Sequence, residues 1–182
     1  MAKTMKITSL VSSILFVGLL IYQLIYPNSI ILALTITLGT IAYHFLMRIL
    51  VGTLINAIFK NNINYNAFWF KPRKFEKKLY KLLRVRMWTR KIPTYSPDTF
   101  DIKKHSWEEI AKATAQAEIV HEVIILFSFL PLLLIIPFGT PLVFVLTSIA
   151  SALFDLIFVI AQRYNRPKIV AYLNKIKKKS SQ

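Results

Sequence analysis

QAEIVHEVIILFSFLPLLLII, residues 116–136, decides the fold. It leads from charged, polar sequence straight into an apolar run. Two carboxylates, Glu118 and Glu122, and one imidazole, His121, stand at the point of entry. About 20 predominantly apolar residues in helical conformation cross the ~30 Å hydrocarbon layer of a bilayer. The chain contains four apolar runs of about this kind, and this stretch opens the third. The predicted class is an all-α, polytopic membrane protein with four transmembrane helices.

Composition supports this reading. Of 182 residues, 55% are hydrophobic, yet 24 Lys and Arg face only 8 Asp and Glu. The mean hydropathy is +0.50. The apolar residues gather in runs and the basic ones lie between them, as in membrane proteins with charge on one side. No cysteine is present, which excludes disulfides, thiolate chemistry and zinc–cysteine sites. Four glycines, none suitably grouped, leave no phosphate-binding glycine loop.

A single membrane domain is expected over residues 1–182. The first span is predicted at 7–26; its apolar run is too long for a signal-peptide core and lacks a small-residue cleavage site before Pro27. A tight turn at PNS leads into a second span at 29–59, longer than a bilayer requires. Residues 60–106 form a cytoplasmic, interfacial segment. Within it, KPRKFEKKLYKLLRVRMWTRK (71–91) reads as a basic amphipathic helix, with Phe75, Leu79, Leu82, Leu83 and Met87 at helical spacing. Pro93 and Pro97 break the following loop. Ser106 and Glu109 fit a capping box, so a helix begins near Trp107. That helix continues into the third span, 107–136, which Pro131 is able to kink. The fourth span is predicted at 142–160, followed by a basic tail at 161–182 in which Pro167 ends the helix. Basic residues lie at the N-terminus, in the central segment and after Gln162, and none lies in the turns near Asn28 and Gly139. The positive-inside rule then places both termini in the cytoplasm of a bacterial cytoplasmic membrane, against its anionic inner leaflet.

On a helix, Glu118, His121 and Glu122 share one face. A carboxylate beside a His orients the imidazole and raises its basicity, which suits a general base. The same three residues also fit an interfacial polar ring solvated by headgroups. Arg163, Asn165 and Arg166, in QRYNRPKI, offer donors for a phosphate or a sugar; a snorkelling anchor is the plainer alternative. Asp155 lies inside the fourth span, where an acid is costly and usually partnered, and Arg48 or His44 on the second span lie at matching depth. The Glu118–His121 spacing also matches half of a di-iron carboxylate site, but no second Glu-x-x-His exists, so no metal is expected. His105 has no acid at the spacing of the soluble His-x4-Asp acyltransferases. The basic segment does not indicate nucleic acid, because it is tethered between two spans and its aromatics lie beside aliphatics.

KKLYKLLRVRMWTRKIP (77–93), AQAEIVHE (115–122) and IAQRYNRPKI (160–169), in this order and spacing, resemble the glycosyl-4,4'-diaponeurosporenoate acyltransferases of Gram-positive bacteria. The resemblance covers roughly residues 60–170. It implies an integral membrane enzyme that moves a fatty acyl group from a cytoplasmic thioester, acyl-CoA or acyl carrier protein, to a hydroxyl of a glycolipid or carotenoid glycoside. It implies no bound cofactor. His121 and Glu118 are the expected catalytic pair, and Arg163, Asn165, Arg166, Glu122 and Asp155 the expected substrate-binding residues. The chain departs from the family pattern at Glu122, where an aromatic is usual, and at FDLIFVI (154–160), where Asp155 replaces an Asn. Both departures bear on the acceptor. Two other classes fit the same residues: a small membrane methyltransferase or reductase, and a non-enzymatic lipid-binding scaffold.

Overall fold

The computed structural model describes residues 2–92, 95 and 97–180. Pro93 therefore lies outside the described residues. All regular structure among them is helical: α1 (Ala2–Ile25), α2 (Ser29–Phe59), α3 (Lys74–Leu82), α4 (Val85–Trp88), α5 (Trp107–Phe127), α6 (Ile135–Phe138) and α7 (Pro141–Ser180). Short 3-10 turns occupy Phe68–Phe70, Thr89–Lys91, Pro97–Phe100 and Leu130–Leu134. Four helical stretches are long and apolar enough to cross a membrane: Ala2–Ile25, Ser29–Phe59, Trp107–Phe138 and Pro141–Ser180.

The chain forms two compact units, Met1–Thr53 with Val123–Asp155, and Leu54–Glu122 with Leu156–Gln182. The first buries many polar side chains among apolar ones and turns apolar side chains outward. Ser9, Ser12, Thr35, Thr40, His44, Ser128, Ser148, Ser151 and Asp155 are buried. Leu24, Ile30 and Ile136 are 74%, 69% and 88% exposed. Water would reject such a surface, and lipid suits it, because lipid-embedded helices pack through small and hydroxyl residues. Several hydroxyls are satisfied locally: those of Thr35, Thr37 and Ser128 donate to carbonyls four residues back, at 2.8 Å each. Asn28 caps α2, its Oδ1 accepting from the Ile30 N–H at 2.8 Å. At Gly39 the helix meets Phe16 so closely that a Cβ would lie 2.8 Å from the ring. Arg48 bonds Asp155 from Nε and Nη2 at 2.9 and 2.6 Å, and Ser151 Oγ from Nη2 at 2.8 Å. This is one of the two partners that the sequence offers Asp155.

The second unit holds a small apolar core of Ile63, Phe70 and Ala115, with Tyr65, Ala67 and Ile119 packed against it. Lys60 and Asn61 adopt positive φ (47° and 56°), which stops α2. Gln116 secures that end: its Oε1 accepts the Asn61 N–H at 2.7 Å and its Nε2 donates to Asn56 Oδ1 at 3.1 Å. The capping box forms as its residues dictate. Glu109 Oε2 accepts from the Ser106 N–H at 2.7 Å, and Ser106 Oγ accepts from the Glu109 N–H at 3.2 Å.

Two expectations need correction. The basic helix over 71–91 is not continuous. Arg84, left-handed at φ 48° and ψ 40°, divides α3 from α4. The third span bends where Pro131 allows it. Regular helix stops at Phe127 and a 3-10 turn holding Pro131 follows, since Pro has no N–H with which to extend the α pattern. α7 continues past the expected fourth span through residues 161–180. Pro167, expected to end the helix, does not. It sits inside α7, at the cost of the hydrogen bond that the Arg163 carbonyl would otherwise accept. At 1.5 Å per residue α7 is ~60 Å long, about twice the hydrocarbon thickness.

Candidate functional site

The second unit contains a buried ladder of alternating charge, Glu76–Arg163–Glu118–Arg166. α5 supplies Glu118 and α7 supplies both arginines, three residues apart on one face. α3 supplies Glu76, so a helix otherwise charged only by lysines turns its one acid inward.

Glu118, 0% exposed, gives each oxygen to a different guanidinium. Oε1 accepts from Arg163 Nη1 at 2.7 Å, and Oε2 lies 2.6 Å from Arg166 Nη1. Arg163 reaches Glu76 Oε1 from Nη2 at 2.6 Å and from Nε at 3.0 Å. The Tyr80 hydroxyl donates to the other Glu76 oxygen at 2.8 Å. Burial, and then this bond to Glu76, push the Tyr80 phenol well above the usual tyrosine range. The 3-10 turn Phe68–Phe70 closes the ladder: Arg163 donates to the Trp69 carbonyl and Arg166 to the Phe70 carbonyl, each at 3.3 Å. Arg166, 2% exposed, also lies over the Phe70 ring at 4.5 Å. With two carboxylates and two guanidiniums the ladder is neutral. Removing one member of such a network strands a buried charge.

Beside it on α5, His121 stacks face to face on Phe158, with centroids 4.6 Å apart and planes 10° apart. Glu122 accepts the Trp69 indole N–H at 2.9 Å. Asn165 goes elsewhere. It lines a cleft with Arg86, Thr89, Tyr164 and Lys168.

The structure thus joins Glu118, Arg163 and Arg166 directly and sets His121 on the same helix. It puts Asn165 on a separate cleft and Asp155 with Arg48 in the first unit. Sequence reasoning missed Glu76, Trp69, Phe70 and Tyr80. Glu76 was findable, as the lone acid between residues 60 and 97. A single carboxylate among so many bases has a specific partner to meet.

An all-helical, multi-span membrane protein with a buried, charge-compensated cluster is the class that this fold and site define. Within that class the sequence is specific: the family described as CrtO, glycosyl-4,4'-diaponeurosporenoate acyltransferase, matches residues 66–175. The match covers more than half of the chain and includes every member of the ladder, and the chain belongs to this family. No curated protein and no solved structure matches it.

Proposed function

We propose that this protein is an integral membrane acyltransferase. It moves a fatty acyl group from a cytoplasmic thioester, acyl-CoA or acyl carrier protein, to a hydroxyl of a glycolipid or carotenoid glycoside. The observation that carries the reading is that the family match and the buried ladder fall on the same residues, with His121 one turn from Glu118.

The chemistry is acyl exchange. The acceptor oxygen attacks the thioester carbonyl, a C–O bond forms, the C–S bond breaks, and the leaving thiolate takes up a proton. His121 is the general base that receives the hydroxyl proton and passes it to the thiolate. Glu118 holds Arg163 and Arg166 in place, and their guanidiniums bias the neighbouring field toward the negative charge that develops on the carbonyl oxygen. Glu122, tied to Trp69, borders the acceptor side. The exposed apolar side chains Phe75, Leu82 and Met87 enter the inner leaflet while the lysines of α3 remain among its anionic headgroups. Both termini lie on that cytoplasmic side of a bacterial membrane.

Lipid mass spectrometry on cells with the gene, without it, and with His121→Ala tests this. The expected result is a lipid one fatty acyl mass heavier, lost equally in the deletion and in the His121→Ala strain. Equal lipidomes in all three, with the protein present at normal levels, remove the assignment.

A further inference from the structure

The sequence offers Arg163 and Arg166 as anion binders, but in the fold their charge is already compensated by Glu76 and Glu118. The uncompensated charge lies on the adjacent surface of the same unit. Two clefts share Arg86 and Tyr164 as walls. One, of about 350 Å³, adds Thr89, Asn165 and Lys168. The other, of about 550 Å³, adds Lys77, Tyr80, Lys81, Arg84 and Met87. Five cations border this double cleft and no carboxylate does. Among the described residues, Lys77, Lys81, Arg84 and Arg86 make no ion pair.

The cleft is held in shape. Its Tyr164 wall meets Tyr80 edge-on at 5.3 Å, and Tyr80 in turn is bonded to Glu76 of the ladder. Lys168 Nζ sits 3.2 Å over the Tyr164 ring, which fixes its ammonium at the rim. The left-handed turn at Arg84 ends α3 and brings Arg84 and Arg86 to the same opening. A β-carbon strains this left-handed conformation, so the packing around the turn holds it. Five cations with an amide, Asn165, and no acid make a site for phosphate oxygens. Pockets of a few hundred Å³ are of the size that holds small ligands.

We propose that the double cleft of Arg84, Arg86, Asn165 and Lys168 binds the phosphate ester groups of the soluble acyl donor, so that the thioester is delivered to α5. This inference rests on the acyl-transfer reading above for the donor's identity. The competing source of the same phosphate chemistry is a phospholipid headgroup.

Free coenzyme A and pantetheine, which lacks phosphate, are the probes, titrated by calorimetry against the full chain in phosphatidylcholine nanodiscs. Coenzyme A is expected to bind and pantetheine is not. Arg86→Gln/Lys168→Gln should raise the coenzyme A Kd about tenfold or more, the loss of one or two charge-assisted contacts. Lys175→Gln/Lys179→Gln, which removes the same charge from the exposed tail, should leave it unchanged. All four side chains are exposed, and circular dichroism and thermal melting check that each variant folds. Equal coenzyme A affinity in the cleft variant and wild type overturns the proposal, as does pantetheine binding as tightly as coenzyme A. If wild type binds no coenzyme A, but the cleft variant loses a preference for nanodiscs containing phosphatidylglycerol, the cleft takes a lipid headgroup and the soluble-donor assignment falls. Donor kinetics keep the two readings apart. Cleft variants should raise the donor KM with kcat retained, whereas His121→Ala should lower kcat. Binding that depends on the cleft without any acyl transfer leaves the site standing and removes the acyltransferase reading. Acyl transfer with an unchanged donor KM in the cleft variant does the reverse.

Discussion

Glu118 satisfies two guanidiniums at once, and that makes it the least replaceable side chain in the second unit. In Glu118→Gln, Arg163 keeps Glu76, but Arg166 is left buried without a counter-charge. The expected cost is about 3–5 kcal/mol, seen as a large drop in melting temperature of the protein in nanodiscs. His121→Ala should behave oppositely, with melting almost unchanged and acyl transfer abolished. If both variants lost stability alike, His121 would be one more packing residue. Tyr80 gives a third test. Tyr80→Phe leaves one Glu76 oxygen without its donor, at a cost of about 1–3 kcal/mol. The raised Tyr80 pKa also fixes a pH window. The phenol is held neutral in the fold, so its contribution is complete below the unfolded tyrosine value of about 10 and is lost as pH rises above it. Tyrosinate absorbance should therefore show a late-titrating phenol in wild type that is missing in Tyr80→Phe. If the alkaline titrations of the two proteins differ only by an ordinary tyrosine, the buried bond to Glu76 is not there.

Helix starts were more legible than helix ends. Ser106 and Glu109 announce the start of α5 because a capping box is a local device: both partners lie within one turn, and the residue types suffice. Ends depend on what lies beyond the turn. Pro167 marks a stop by local rules, yet α7 runs through it, because the two arginines just before it are held by Glu118 and Glu76 from other helices. Those contacts outweigh the hydrogen bond lost at the Arg163 carbonyl. The break at Arg84 shows the converse. Nothing in KLLRVRM forbids a helix, and only packing, with Val85 fully buried, selects the left-handed turn. On this account Pro167→Ala should be neutral to stabilising, since it restores a helical donor without disturbing either ion pair. Thermal unfolding of that variant checks it, and a marked loss of stability would mean that the proline shapes the helix to fit its partners. Gly39 argues at the same scale. Gly39→Leu drives a side chain into Phe16 where even a Cβ is too close, so α1 should detach from α2, visible as faster proteolysis of the N-terminal helix.

For the whole molecule, hydropathy and charge were enough to find four apolar helices. They could not say how polar residues within those helices pair, since that depends on packing between distant parts of the chain. Asp155 is the clearest instance: its cost in an apolar helix demands a partner, and the fold supplies Arg48. Charge predicts which side of the membrane each turn faces. Lys3, Lys6, the central basic segment and the lysines at the end of α7 form one set. The turns around Pro27 and Thr140 carry no base at all. Translocating basic loops is unfavourable, so the expected arrangement translocates the uncharged turns and keeps the basic segments. The chain has no cysteine, so single cysteines introduced at chosen positions have no background. Pro27→Cys and Thr140→Cys should react with a membrane-impermeant maleimide in intact cells. Lys3→Cys and Ser180→Cys should react only after the cells are opened. Labelling of either terminus in intact cells would invert the topology. It would place the ladder, His121 and the basic cleft on the face away from cytoplasmic thioesters, and a cytoplasmic acyl donor would no longer be tenable.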